Sequence, residues 1–273
     1  MTSSVNSNGV ARTLRRLDRL KSLPLDSFLF IAALALVLLL WELGRQKEEW
    51  RSLLPSLLDI VDALGRLITT PTGRENLIAS LRHVGLGYAA GAGLGVLAGS
   101  LCGVSRVVRV TAGRIIELVR PIPPITFIPV CILLPAEIRP IVIVALGAFA
   151  PTYTNVLEGI IRLSPIYPAL SRSFLLDKWT TFWHITFPAI SGQLASGLKT
   201  GMGTGWFCVV AAELAGSNAG LGKLIADSST QFAYADMWAG MIGVGLLGWF
   251  SQAAINLVFK VVTPWVGSAD QED

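Results

Sequence analysis

Six stretches of this chain read as membrane-crossing helices, some only when their small residues are counted: roughly 27–44, 79–103, 109–134, 138–162, 189–215 and 238–262. A helix needs about 20 apolar residues to cross a hydrocarbon core about 30 Å thick. Lipid offers no partner to a free N–H or C=O, so segments of this length must satisfy their backbone internally as helices. Composition agrees, with 52% hydrophobic and 15% charged residues where soluble domains carry about a quarter charged. The predicted fold class is therefore all-α, a polytopic membrane protein with six transmembrane helices and the lipid bilayer as its medium. The net charge of +4 is small and dispersed, so no nucleic acid partner is expected.

Catalytic patterns are missing. The chain contains no GxSxG, no HExxH, no phosphate loop and no Gly-rich dinucleotide turn. Cys102, Cys131 and Cys208 fall in or beside apolar runs without CxxC spacing, and the histidines are His83 and His184 alone. Small buried hydrophobes are the expected role of such cysteines. A non-catalytic chain with no metal and no cofactor of its own is predicted.

Lys and Arg near span ends set the orientation. With the N-terminus inside, Arg12, Arg15, Arg16, Arg19, Lys21, Arg106, Arg109, Arg114, Arg162, Arg172, Lys178 and Lys260 are cytoplasmic. Fewer fall outside: Arg45, Lys47, Arg51, Arg66, Arg74, Arg139 and Lys223. Both termini are thus predicted inside, with cytoplasmic tails at 1–26 and 266–273, a first span retained at 27–44, and a five-helix core at 79–265. The external segment 45–78 holds "LLPSLLDIVDALGRLI", where Leu57, Ile60, Val61, Leu64, Leu67 and Ile68 oppose Asp59, Asp62 and Arg66. That is an amphipathic helix of about four turns, too charged to span. It lies on the outer membrane surface or packs across the bundle.

The apolar runs carry their own punctuation. Gly87, Gly91, Gly95 and Gly99 recur every fourth residue, giving one helix a face that admits another backbone, within the subunit or from a second one. Gly197, Gly201, Gly203 and Gly205 make a second such face, and two helices of this kind facing each other would form a narrow seam. "VRPIPPITFIPVCILLP" concentrates Pro121, Pro123, Pro124, Pro129 and Pro135. Interior prolines delete backbone bonds, so this run is read as a broken helix beside a pathway or as a packing kink. Ionisable and polar groups at depth tend to face a bundle interior or water. Arg120, Pro121, Pro124, Lys199, Trp206 and Glu213 are the candidate pathway residues on that basis. Snorkelling of Lys199 to the interface and a hydrogen-bonded span end at Glu213 stand as the competing readings.

Between the fourth and fifth runs lies "ALSRSFLLDKWTTFWHITFP", a helix predicted from about Ala169 to Phe182. An exposed segment this aromatic lies on lipid or fits a groove on another protein.

Here several motifs converge. "ASLRHVGLGYAAGAGLGVLAG", "IIELVRPIPPITFIPV", "GAFAPTYTNVLEGI", "FWHITFPAI", "GWFCVVAAELAGSNAGLGKLI" and "TPWVG" follow one another across roughly residues 50–267. Together they resemble the permease subunits of binding-protein-dependent ABC importers, in the nitrate/sulfonate/taurine/bicarbonate subfamily. The resemblance implies a type I importer (MetI-like) bundle in the bacterial cytoplasmic (inner) membrane. It implies a second permease subunit, a homodimer rather than a heterodimer, two cytoplasmic ATPase subunits holding ATP and Mg, and a periplasmic or lipid-anchored solute-binding protein. The segment at about 166–187 would be the coupling helix that inserts into the ATPase. Its candidate contacts are Arg172, Phe174, Leu175, Asp177, Lys178, Trp179, Phe182, Trp183 and His184. One departure stands out: Leu175 aligns with the family's glycine, Leu176 with an alanine and Asp177 with a serine. The implied activity is import of a small anion, sulfonate or taurine ahead of nitrate or bicarbonate. A membrane scaffold or channel-like protein without an ATPase is the alternative.

Overall fold

The computed structural model describes residues 27–47, 50, 53–163 and 166–263; the predicted tails at 1–26 and 266–273 lie outside the described residues. The α-helices of four residues or more are α1 (Ser27–Arg45), α2 (Leu57–Thr69), α3 (Pro71–Val104), α4 (Arg114–Val119), α5 (Ile128–Cys131), α6 (Ile138–Ile161), α7 (Ile166–Ser173), α8 (Lys178–Thr181), α9 (Phe187–Leu214), α10 (Leu221–Thr230) and α11 (Tyr234–Val262), with no strand among the described residues. The chain divides at Asp59 into two units.

In the first unit α1 has a mean hydropathy of 2.3, and no residue of its apolar window is buried. That is the surface of a helix solvated by lipid. The loop after it is tied back by Trp41, whose Nε1 donates to the Pro55 carbonyl at 3.2 Å. Ser56 and Asp59 then bond each other's backbone N–H at 3.1 and 3.2 Å, a reciprocal cap that starts α2.

The second unit begins inside α2. Ile60, Ala63 and Leu67 are its buried stripe, and Ala63 and Leu67 pack with Leu221 of α10 and Ala239 of α11. Of the two readings open from sequence, packing across the bundle is the one realised. Arg66 adds an ion pair to Asp236 of α11 at 2.7 Å. A one-residue corner follows, where the Thr70 hydroxyl accepts from Gly73 N–H at 3.1 Å and Pro71 opens α3.

Glycine decides how the long helices meet. A Cβ on Gly91 of α3 would lie 2.1 Å from the Ala145 carbonyl oxygen, and one on Gly87 2.6 Å from Ile141 O, both on α6. Gly95 and Gly99 meet Phe149 O and Tyr153 O of the same helix at 2.9 and 2.8 Å. Most of the second stripe also lands on α6: Gly197 would meet Asn155 at 2.7 Å, Gly201 the Thr152 hydroxyl at 2.8 Å and Gly205 Val144 at 3.4 Å, while Gly203 faces Gln252 of α11 at 3.4 Å. The two glycine faces therefore do not form a seam with each other. α6 packs against both, presenting backbone and small side chains to Gly87, Gly91, Gly95 and Gly99 on one side and to Gly197 and Gly201 on the other. In lipid, where apolar burial gives no drive to association, this close van der Waals contact holds the trio together.

Trp206, Val209 and Ala212 of α9 complete the core with Ile143 and Val144 of α6 and Val84 of α3. Cys131 and Cys208 lie in the same cluster, and all three cysteines are free and buried.

Four described helices are long and apolar enough to cross a membrane: α1, α3, α6 and α11. α9 runs 28 residues, but its glycines, hydroxyls and Lys199 leave it below the apolarity of those four. The stretch 109–134 is broken. A π-helical segment Arg109–Gly113 leads into α4, which ends at Val119; Pro123 is extended (φ −60°, ψ 132°), and a 3₁₀ turn Pro124–Phe127 precedes α5. Successive prolines remove the donors that would continue the helix.

Candidate functional site

The predicted residues fall into three places. The first is a cavity of 320 Å³ beside the proline break. Ile116, Val119, Arg120, Pro124 and Phe127 line one wall, and Gly147, Ala150 and Thr204 belong to the other. Its lining is mostly apolar. Arg120 is the one charge on it and donates to the Thr154 hydroxyl of α6 at 2.9 Å. Pro121 is exposed at the break itself.

Trp206 does not join them. It is buried, donates from Nε1 to Ser251 Oγ at 3.2 Å, and lines a separate 520 Å³ groove between α9 and α11 with Phe207, Gly248 and Trp249. Lys199 is half-buried on α9 and lines neither cavity.

Glu213 makes the second place, with its side chain fully buried. Ser80 Oγ donates to its two oxygens at 2.9 and 2.8 Å, His83 Nδ1 lies 2.8 Å from Oε1, and Gly222 N–H donates to Oε2 at 2.9 Å. The His83 tautomer with its proton on Nδ1 completes this bond as donor. Ser80 Oγ in turn accepts from Leu221 N–H at 2.8 Å, and Asn76 Oδ1 accepts from Gly220 N–H at 2.9 Å. Gly220 sits at φ +137°, where a Cβ would come within 2.2 Å of the Glu213 carboxyl carbon. Only glycine fits there.

From the other side, buried Arg139 donates to Gly216 O at 2.9 Å and to Cys131 O and Ile132 O at 3.3 Å each. The last two are carbonyls at the end of α5. A buried Glu213 carboxyl with both oxygens occupied and a buried Arg139 guanidinium making four hydrogen bonds thus clamp the connection between α9 and α10. Sequence reading found Glu213 but not Asn76, Ser80, Arg139, Gly220 or Gly222 as a group. The available signal was Asn76, Ser80 and His83 at i, i+4 and i+7, a polar line down an apolar helix.

The third place is an elbow. The predicted continuous helix is instead α7, a turn, α8, and a π-helical segment Phe182–Thr186 running into α9. Leu176 N–H bonds back to Ser171 O at 3.1 Å, the C-terminal closure that needs a left-handed residue before it. That residue is Leu175, at φ +51°, a conformation costing an L-residue with a Cβ about 1–2 kcal/mol. Asp177 then caps α8, accepting from Trp179 and Thr180 N–H at 2.9 and 3.2 Å. Hydrogen bonds from Thr180 first, and from Trp179, hold its carboxyl below the usual range.

Phe174, Leu175, Trp179, Phe182, Trp183 and His184 are all exposed. Trp183 gathers Phe182, Trp179 and Phe187 at ring distances of 5.3, 5.8 and 5.5 Å. Arg172 and Lys178 lie on α7 and α8, their side chains outside the described residues.

Among the described residues, no cluster of His, Cys, Asp and Glu could hold a metal ion. What the arrangement offers is mechanical: a glycine-locked helix trio, a cavity at a helix break, and a rigid aromatic elbow joined to α9. With four helices long and apolar enough to cross a membrane, these features define a polytopic helical membrane protein. Residues 91–268 match the family described as the binding-protein-dependent transport system inner membrane component, and the chain belongs to that family. It is similar to the taurine transport system permease protein TauC of Escherichia coli (27% identity, 71% of each chain). It is also similar to the nitrate import permease protein NrtB of Synechocystis (28% identity, 85% of this chain and 88% of the relative). It is thus a multi-pass permease of the cytoplasmic membrane, in the ABC importer subfamily to which those relatives belong.

Proposed function

We propose that this chain is the membrane subunit of an ATP-driven, binding-protein-dependent importer for a small anion of the sulfonate/taurine or nitrate/bicarbonate class. In this reading six segments cross the membrane with both termini inside: α1, α3, the broken run 109–134, α6, α9 and α11. Two copies assemble with two cytoplasmic ATPase subunits carrying ATP and Mg, and a solute-binding protein docks outside. The elbow of α7 and α8 seats on the ATPase, and closure of the ATPase pair tilts the helix trio into the alternate access state.

One observation carries the reading. The exposed aromatic elbow continues without a flexible loop into α9, and α9 is locked by Gly197 and Gly201 onto α6, which walls the cavity holding Arg120. Movement of the elbow is therefore transmitted to the cavity. Arg120 gives that cavity a positive charge, which suits an anion.

The test is reconstitution with its cognate ATPase and solute-binding protein. Trp183→Asp should abolish ATP-dependent uptake and ATPase co-purification while membrane insertion is unchanged. Wild-type uptake by that variant would end the coupling reading. Retention of uptake with no ATPase present would leave a channel instead.

A further inference from the structure

Prolines open one cavity to water. A proline has no N–H, so Pro121, Pro124 and Pro151 deprive the carbonyls of Glu117, Arg120 and Gly147 of the donor that a continuous helix supplies. Arg120, Pro124, Gly147 and Pro151 all line the 320 Å³ cavity. Pro121 and Ile122, at the break itself, are exposed. Irregular backbone at membrane depth is not tolerated against lipid; it lies within protein or against a water-filled cavity. The occupant of this cavity therefore arrives from water and not from the hydrocarbon.

The lining restricts what that occupant is. Arg120 is the one charge on it, and Glu117, one turn earlier on α4, is not among the lining residues. Nη1 of Arg120 is held by Thr154. No acceptor among the described residues meets its Nε or Nη2, the edge that binds two oxygens of one oxyanion. Thr204 gives no second donor, since its hydroxyl proton is committed to Thr200 O at 2.9 Å. The rest of the lining is mostly apolar, with Ile116, Val119, Phe127 and Phe149. A nitrate or bicarbonate would exchange its hydration for apolar wall on every side but one, and the ammonium of a zwitterion would find no acid on the lining. An uncharged body behind a single oxyanion head avoids both costs. A volume of 320 Å³ stands at the lower end of small-molecule sites, about 300–1,000 Å³, which suits a short body.

We propose that this cavity is a substrate site of the permease itself, and that it takes organic monoanions with an uncharged apolar body, short alkyl sulfonates above all. The head pairs with the free edge of Arg120, and the chain packs on Ile116, Val119 and Phe149. The inference rests on the importer reading above and narrows its anion class.

The experiment is equilibrium binding of radiolabelled pentanesulfonate to the full-length permease in phosphatidylcholine nanodiscs, with empty nanodiscs subtracted. Unlabelled alkanesulfonates should compete about 3-fold better per added methylene from methane- to pentanesulfonate, and longer chains should gain nothing once the cavity is full. Nitrate, bicarbonate and taurine at the same concentrations should not compete. Arg120→Gln should weaken binding by about 10-fold or more. Val119→Trp, which fills the cavity and leaves Arg120 in place, should weaken the long chains more than methanesulfonate. Competition by nitrate or taurine equal to that by pentanesulfonate overturns the assignment, as does wild-type binding in both variants. A gain with chain length that runs on without a plateau and survives Arg120→Gln reports a lipid-facing groove and overturns it too. ATP-driven uptake with the cognate ATPase and solute-binding protein separates the two readings. If anions are taken up while both variants bind as wild type, only the cavity assignment fails; if no anion is taken up, the importer reading fails with it.

Discussion

Replacing Glu213 with alanine tests what holds the second unit together at the α9–α10 connection. The carboxylate receives Ser80 Oγ, His83 Nδ1 and Gly222 N–H, all within 2.9 Å. Alanine leaves the last two buried donors facing a void, since His83 is buried and Gly222 lies in the first turn of α10. Each orphaned donor costs about 1–3 kcal/mol, and removing one member of a buried charged cluster typically costs about 3–5 kcal/mol. A loss of about 4 kcal/mol follows, or about 10 °C in the melting midpoint for a chain of this size. Glu213→Gln keeps the volume but turns an amide N–H₂ toward one of the donors, so about half that loss is expected.

The assay is thermal unfolding of purified permease in detergent, combined in a double-mutant cycle with Ser80→Ala. Ser80 Oγ bridges Glu213 and Leu221 N–H, so the two losses should be less than additive. A Glu213→Ala midpoint within about 2 °C of wild type, or strict additivity with Ser80→Ala, would refute the clamp; the 2 °C margin corresponds to roughly 1 kcal/mol.

Other outcomes are expected from the same geometry. Gly91→Val places a Cβ 2.1 Å from a backbone carbonyl on α6, whereas Gly93→Val on the same helix meets nothing within 4 Å. Fluorescence-detected gel filtration should show the first variant aggregated, with a cost of about 3 kcal/mol or more, and the second monodisperse. Arg139→Lys supplies one ammonium where a planar fork reaches carbonyls on two elements; its melting midpoint should fall, and recovery to wild type would dismiss the role of the fork. Asp177 has a folded pKa below its unfolded value, so its contribution to the elbow is full above the unfolded pKa and lost as pH falls through the folded one. Amide protection at Trp179 and Thr180 should therefore drop in acid. Asp177→Asn, still an effective cap, should make that protection independent of pH.

Local rules in the sequence marked most of the helices and some of their breaks. The prolines at 121, 123 and 124 announced the discontinuity because each removes a donor wherever it stands. The glycine stripes announced close approach, but not the partner. What fills a stripe depends on which helix presents backbone and small groups at matching intervals. α6 does so on two sides, with Ala145 and Phe149 toward α3 and Ala148 and Thr152 toward α9. Its sequence reads simply as an apolar span, so its place between the two stripes was not legible. The amphipathic pattern of α2 likewise gave its buried face, while Leu221 and Ala239, which cover that face, lie more than 150 residues away.

The polar residues show where local reading stops. Glu213 was visible as an ionisable group at a span end, yet its meaning lies in His83 and Ser80, 130 and 133 positions earlier. As a lone acid it reads as a pathway group; with every oxygen occupied by a buried donor it is a fastener. Arg120 goes the other way, keeping an exposed position on a cavity wall with one hydroxyl partner, so its charge stays available. Leu175 is the most instructive case. A glycine there would have announced the turn, whereas leucine predicts helix continuation, and the helix was accordingly drawn straight through it. The turn forms because Ser171 O, Asp177 and Thr181 each have a bond to gain, and together they outweigh about 1–2 kcal/mol of left-handed strain. The strain falls on Leu175, which among the described large apolar side chains of the elbow is the most exposed, at 91%.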